Sequence, residues 1–253
     1  MSKVLQLKNK DKQGNIKNVG KIEIRNESND TAGLYFYGDI VSSEWEKWED
    51  ADTCPDDVLK FLKDIEGTKN LNIYINSGGG SVFAGMSIYN ILKRNQAYKI
   101  AYIDGLAGSI ASVIPFAADK IIIPANGYMM IHNAWSFTWG NAKELRKFAD
   151  SLDVIDQGIL NVYEANLKEG IKIEAIKQMM DNETWFTGKE AAEYFDIEVA
   201  PENKSVACVS DYFGSYTNIP DDLKTKEEIQ PENKIDNNQI EKAKARLLLK
   251  SRL

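Results

Sequence analysis

The chain has a single histidine, His132, among its 253 residues. Imidazole is the usual base that activates a serine hydroxyl near neutral pH, so any serine–histidine chemistry here must run through that one side chain. Cysteine is nearly as scarce. Cys54 and Cys208 lack a secretory context and are expected to stay reduced, and the neighbours of Cys54 (Thr53, Pro55 and Asp56) offer nothing that would lower a thiol pKa. Positive charge is outweighed, with 31 Lys and Arg against 38 Asp and Glu. The resulting net charge of −7 argues against nucleic acid or an anionic membrane as the main partner. The opening residues, Met1 to Lys8, contain no apolar signal segment, so no secretion is expected. The most apolar stretch, Ile100 to Ala118, is broken by Asp104 and Pro115 and rich in small residues, so it reads as a buried segment and not a membrane span. No internal repeat is found.

What is present is an alternation of strands and helices. Residues 1–31 are polar and charged, a loose arm or a short edge hairpin. Strands are expected at Gly33–Gly38, Leu71–Asn76, Lys99–Asp104, Lys120–Pro124 and Tyr128–His132. Helices are expected at Asp56–Glu66, Val82–Gln96, from Ser109 onward, Asn141–Lys168, Ile173–Met180 and Gly188–Tyr194. Such alternation implies right-handed β-α-β units around a largely parallel sheet, an α/β fold. The helix from Asn141 is more apolar than a lone surface helix requires, which suggests packing on another subunit. Beyond residue 215 the composition turns to Asp, Glu, Lys, Asn and Pro. The expected organisation is therefore an arm over 1–31, a domain over 32–215, and a charged linker with a terminal amphipathic helix over 216–253.

Three local patterns could carry chemistry. The glycine turn Ser77-Gly78-Gly79-Gly80-Ser81 links a strand to a helix, as phosphate-binding loops do. Met86 stands where a P-loop needs lysine, however, and Phe83 where the dinucleotide pattern needs its third glycine. A plain tight turn remains one reading, and backbone N–H groups brought close to a reacting atom, as in an oxyanion hole, the other. Ser109 lies at a strand-to-helix turn among Gly105, Ala107 and Gly108, which would expose its Oγ and aim the N–H of Ile110 at a developing oxyanion. Ser112, one turn on, is the nearest competitor. A histidine base needs an acid to hold its tautomer, and Asp181 and Glu183 lie beside sheltering apolar residues, whereas Asp119 is followed at once by a lysine.

Five blocks in order make the chain resemble the proteolytic subunit of the Clp protease: Tyr74-Ile75-Asn76-Ser77-Gly78-Gly79-Gly80, Ala84-Gly85-Met86-Ser87-Ile88-Tyr89, Gly105-Leu106-Ala107-Gly108-Ser109, Met130-Ile131-His132-Asn133, and Phe186-Thr187-Gly188-Lys189-Glu190-Ala191-Ala192-Glu193-Tyr194. The resemblance implies a Clp protease/crotonase-like fold with a long protruding helix, and a serine endopeptidase without metal or cofactor. It implies Ser109 as nucleophile and His132 as base. Gly79 or Gly80 would form the oxyanion hole with Ile110. The family's aspartate falls on Glu183 without a gap, with Asp181 as the rival acid, and the family's loop proline is Gly78 here. A ring-shaped homo-oligomer acting on protein or peptide substrates is also implied. No ATP-binding pattern occurs, so any unfoldase would be a separate protein.

Within that family the chain is most similar to the Clp-related head maturation proteases of tailed phages. The shared traits are Gly38-Asp39-Ile40 with the Trp-bearing stretch after it, Trp135, Trp139-Gly140-Asn141-Ala142, and Met180-Asp181 followed by Glu183-Thr184-Trp185. This likeness implies cleavage of scaffold and capsid proteins in the immature phage head, within the bacterial cytoplasm. A degradative Clp-type subunit fed by an ATPase, and a catalytically silent ring module, remain as alternatives.

Overall fold

The structure is a computed structural model that describes residues 3–10, 16–24, 26–28, 30–202, 210 and 212–220. The chain divides into one compact unit over Met1–Asn218 and a second over Ile219–Leu253. From residue 221 onward the expected linker and terminal helix lie outside the described residues. The first unit ends three residues later than the boundary expected at 215. The reason is local bonding: the Tyr216 hydroxyl donates to the Gly78 carbonyl, and the N–H groups of Thr217 and Asn218 donate to the Glu183 carboxylate.

The N-terminal region contains a hairpin, with β1 (Lys3–Lys10) antiparallel to β2 (Ile16–Ile24). Next come β3 (Asn26–Ser28), β4 (Thr31–Phe36), α1 (Pro55–Asp64), β5 (Asn70–Ser77), α2 (Val82–Arg94), β6 (Tyr98–Gly108), β7 (Lys120–Pro124) and β8 (Tyr128–Ile131). The series closes with α3 (Ala142–Glu164), α4 (Ile173–Asp181), β9 (Thr184–Thr187), α5 (Gly188–Tyr194) and β10 (Glu198–Ala200). Strands β3 to β10 form one sheet in the order β10-β7-β6-β5-β4-β3, with β8 joined to β6 and β9 to β8. Every pairing from β4 through β7, β10 on β7 and β8 on β6 is parallel; β3 and β9 run antiparallel to their neighbours. The α/β architecture with a largely parallel sheet is as expected.

Period-two patterning explains the layering. In β5, Leu71, Ile73 and Ile75 are fully buried and face the core with Val58 and Phe61 of α1 and Ile88 and Leu92 of α2. On the opposite face Tyr35, Tyr74 and Tyr102 stack across three neighbouring strands at centroid spacings of 4.5 and 5.2 Å. Helix α3 begins at a capping box, with Asn141 accepting from the N–H groups of Lys143 and Glu144. Only Ile159, Leu160, Val162 and Tyr163 near its C-terminal end are buried, while Leu145 and Val154 are exposed, so most of the helix stands clear of this chain's core.

One local expectation changes. The segment after β6 does not form an α-helix at Ser109; two 3-10 turns, Ser109–Ser112 and Ile114–Ala117, take its place. Pro115 has no N–H to give to a carbonyl four residues back, so the α-helical ladder cannot run through this stretch.

Candidate active site

Three adjacent parallel strands end side by side, and each delivers one part of the site. β6 lies between β5 and β8, with Ser77 opposite Ala107 and Gly108 opposite Met130. The glycine turn leaves the end of β5, Ser109 follows β6 directly, and His132 follows β8 directly. The carboxyl ends of parallel strands are where α/β sheets place ligands, since the chain turns away there and leaves a crevice. Ser109 Oγ lies 2.7 Å from His132 Nε2, a hydrogen bond between residues 23 positions apart.

The serine is held in an uncommon conformation. Its φ of 51° is in the left-handed region, where the Cβ of an L-residue crowds its own backbone. Gly79 accommodates it: a Cβ on Gly79 would lie 2.7 Å from the Ser109 Cβ and 2.9 Å from the Gly108 carbonyl oxygen, and its φ is 113°. Gly80 serves a different neighbour, because a Cβ there would meet the Ile40 carbonyl oxygen at 2.0 Å. The turn is pinned at both ends, by Ser77 Oγ donating to the Gly38 carbonyl at 2.6 Å and by Ile40 N–H donating to the Gly79 carbonyl at 2.8 Å. Gly79 N–H reaches Ser77 Oγ at 3.2 Å, a long bond. Ile110 is buried, its side chain seated over Gly85 of α2 where any Cβ would collide. Ser112 is fully buried, donating to the Ser109 carbonyl at 2.5 Å and bonded to the Tyr163 hydroxyl at 2.7 Å. It braces the turn from beneath.

Strand register accounts for the position of Glu183. β8 and β9 pair antiparallel with Ile131 opposite Thr184, so the next position outward sets His132 opposite Glu183. Glu183 is the other non-glycine residue with positive φ among the described residues, at 46°. Its negative charge acts on His132, pulling the imidazole pKa upward against the larger effect of burial, which lowers it below 6.5. The two side chains are not hydrogen-bonded to each other. The Glu183 carboxylate is instead occupied by Thr217 N–H at 2.8 Å, Asn218 N–H at 2.7 Å, Thr217 Oγ1 at 3.0 Å and Trp185 Nε1 at 3.3 Å, and these donors hold its pKa below the ordinary glutamate value despite partial burial. Asp181 points its bonding elsewhere, accepting from Asn133 Nδ2 at 2.8 Å. Asp119 is far from this chemistry and accepts from Lys99 N–H at 2.7 Å.

Residues 210 and 212–218 add contacts to this site, and the last three of them, Tyr216 to Asn218, fall where a linker was expected. Tyr216 is buried, with its ring edge-on to His132 at 5.3 Å and near Trp185 at 6.0 Å. Its hydroxyl donates to the Gly78 carbonyl, and burial raises its pKa. The available signal was the aromatic cluster Tyr212-Phe213-Gly214-Ser215-Tyr216, which runs across the boundary expected at 215.

Chemically, the arrangement offers a hydroxyl bonded to an imidazole, a carboxylate on the imidazole's far strand, and backbone N–H groups at the glycine turn and Ile110. Among the described residues the one group of side chains able to hold a metal ion is Glu44, Cys54 and Asp57, with Cys54 buried, and it includes none of the residues of this site. No helix among the described residues is long and apolar enough to cross a membrane.

Residues 34–197 match the Clp protease family. The chain is 28% identical over 143 residues to an ATP-dependent Clp protease proteolytic subunit of Bacteroides fragilis, covering 55% of this chain and 68% of that protein. It is 32% identical over 145 residues to proteolytic subunit 2 of Thermobifida fusca, covering 55% and 69%, and 30% identical over 149 residues to the subunit of Ligilactobacillus salivarius, covering 58% and 74%. The chain thus spans about two thirds to three quarters of these relatives, and residues 34–197 include the glycine turn, Ser109, His132 and Glu183. With the family match extending over more than half of its length, the chain belongs to the Clp protease family.

Proposed function

We propose that this protein is a serine endopeptidase in which Ser109, His132 and Glu183 act together. The carrying observation is the 2.7 Å bond between Ser109 Oγ and His132 Nε2 at the ends of two paired parallel strands. Ser109 Oγ attacks the peptide carbonyl and His132 Nε2 takes its proton. The tetrahedral oxyanion is stabilised by N–H groups of the glycine turn and of Ile110. Gly79 lies against Ser109 and is the nearer candidate, with Gly80 the alternative. Collapse breaks the C–N bond as His132 returns the proton to the leaving amine, and a water molecule, deprotonated by His132, then releases the acyl group. Glu183 stabilises the imidazolium; the register opposite His132 favours it over Asp181.

The proposed setting is a homo-oligomeric ring cleaving scaffold and capsid proteins during phage head maturation. Support comes from the exposed Leu145 and Val154 on α3, which suit contact with a second copy, and from the resemblance of the tryptophan-bearing segments to those of head maturation proteases. A degradative subunit working with a separate ATPase is the second reading, favoured by the ATP-dependent proteolytic subunits among its relatives. A fluorophosphonate probe is expected to label the wild type at Ser109 and to leave a folded Ser109→Ala variant unlabelled. Equal peptide cleavage by the two purified proteins would overturn the mechanism. Portal and capsid genes beside this one would support the first setting, and ATPase-stimulated cleavage of folded substrates the second.

A further inference from the structure

The floor of the proposed peptidase site is not open: a segment of the same chain lies across it. Ser210 sits against Gly78, where a Cβ would approach the Ser210 Oγ to 2.4 Å, and that hydroxyl donates to Asp39 Oδ1 at 2.6 Å. Phe213–Ser215 form a 3-10 turn that carries the chain over to Tyr216. The Tyr216 hydroxyl donates to the Gly78 carbonyl close to the Ser109 side chain, and its ring packs edge-on to His132. Thr217 and Asn218 then close on Glu183 with two backbone N–H donors and one hydroxyl.

A peptide substrate needs the same groups. Its carbonyl must reach Ser109 Oγ, and its backbone must run along the glycine turn to be held there. The imidazole needs its carboxylate at the moment it becomes charged, yet Glu183 bonds Thr217 and Asn218 and makes no bond to His132. We propose that Ser210 and residues 212–218 form an autoinhibitory strap, which covers Ser109 with Tyr216 and withholds Glu183 from His132 until it is displaced. This rests on the serine peptidase reading of the site. On displacement, three things change together: the Gly78 edge is freed for substrate backbone, the Ser109 hydroxyl is uncovered, and the Glu183 carboxylate becomes available to the imidazole.

The test uses the full chain and reads the rate of Ser109 modification by a fluorophosphonate, with the matching Ser109→Ala protein as blank in every background. Tyr216→Phe keeps the ring and removes the hydroxyl. Loss of one neutral hydrogen bond from the closed state should speed labelling about five-fold. Thr217→Pro removes a backbone donor from Glu183; Tyr216, at φ −93° and ψ 143°, already has the extended geometry that precedes proline. It too should label faster. A synthetic peptide of residues 210–220 added in trans should slow both variants.

The lone histidine supplies a second readout, because its imidazole gives a single resonance whose pH titration can be followed by NMR. Displacing the strap exposes His132 and brings the Glu183 charge to it, and both effects raise its pKa in Thr217→Pro. Labelling rates equal to or below wild type, with unchanged circular dichroism, would overturn the strap and leave the peptidase reading standing. If Ser109 is labelled in none of the proteins, the peptidase reading fails instead. The strap is then judged by the imidazole titration, which supports it if the pKa rises and refutes it if the pKa is unmoved.

Discussion

Replacing Gly79 by alanine isolates how much of the site depends on one missing Cβ. Two costs add at this position. The φ of 113° lies where L-residues are strained, a cost of about 1–3 kcal/mol for such backbone. The new methyl would also sit 2.7 Å from the Ser109 Cβ and 2.9 Å from the Gly108 carbonyl oxygen, so backbone must move, and overpacking of this kind costs about 1–3 kcal/mol. Reduced freedom of the unfolded chain returns about 0.4–1 kcal/mol. The net loss is about 1–5 kcal/mol, which for a unit of this size lowers Tm by about 2–4 °C per kcal/mol. Gly170→Ala is the control, since its φ is 87° but nothing lies within 4 Å of the added Cβ. It bears backbone strain without the collision and should lose markedly less. Function separates the two further. Relieving the contact pushes Ser109 off its line to His132, and displacement of a nucleophile by about 1 Å lowers kcat/KM by about 100-fold, whereas Gly170→Ala should cleave a peptide at the wild-type rate. Thermal unfolding followed by circular dichroism and cleavage of one fluorogenic peptide measure both effects. A Gly79→Ala protein matching Gly170→Ala in Tm and in kcat/KM would refute the packing argument and the place of Gly79 beside the nucleophile.

Glu183→Gln should lower kcat by about 10⁴ with little change in KM, if it resembles the corresponding acid-to-amide change in the serine-protease template. Asp181→Asn, which touches only the exposed bond from Asn133, should cost less than about ten-fold; the reverse pattern in steady-state kinetics would move the acid to Asp181. The acid limb of kcat/KM against pH should have its midpoint below 6.5, because burial depresses the His132 pKa and the neutral imidazole is the working base. In Glu183→Gln the midpoint should fall further, since the carboxylate is what pulls that pKa upward. The same linkage makes the His132 contribution to stability full above 6.5 and lost as pH falls toward the lower folded value, because the unfolded chain takes up the proton first. Thermal unfolding between pH 5 and pH 8 of wild type and His132→Gln checks that sign: the difference between them should grow in wild type's favour as pH rises.

Much of the fold was legible because period-two and period-3.6 patterns are strong in its middle. Lys120–Pro124 and Gly188–Tyr194 fall where their apolar spacing puts them, and β5 and α2 end within two residues of expectation. The misses have physical causes. β9 is four residues long and its sequence, Thr184-Trp185-Phe186-Thr187, is too short to show a period, although its pairing with β8 is what brings Glu183 opposite His132. The α-helix expected at Ser109 ignored the missing N–H of Pro115, and the domain boundary at 215 followed average composition across a stretch where Tyr216 is buried. In the site, Ser109 and His132 could be named from residue type and block order. Their partners in residues 210 and 212–218 could not, because a strap is specified by tertiary contact alone and leaves no periodic trace.

The strained backbone and the strap belong to one argument. The two non-glycine residues with positive φ among the described residues are Ser109 and Glu183, and each lies at the end of an element: Ser109 after β6, Glu183 between α4 and β9. Such conformations persist only where surrounding contacts over-determine them. For Ser109 the contacts are permanent: Gly79 leaves the space, and Ser112 holds the carbonyl from below. For Glu183 the backbone support is equally fixed, through its N–H on the Met180 carbonyl and the β8–β9 register, but the carboxylate is held mainly by donors from Thr217 and Asn218. Ser109 is thus set by the sheet, whereas Glu183 is set by the sheet and bonded by Thr217 and Asn218. A slip of one residue in the β8–β9 register would turn position 183 to the opposite face, so the acid cannot be supplied by sliding the strand. It can be supplied by releasing the carboxylate. On the proposed strap, control of this site falls on residues 210 and 212–218, which belong to no strand of the sheet.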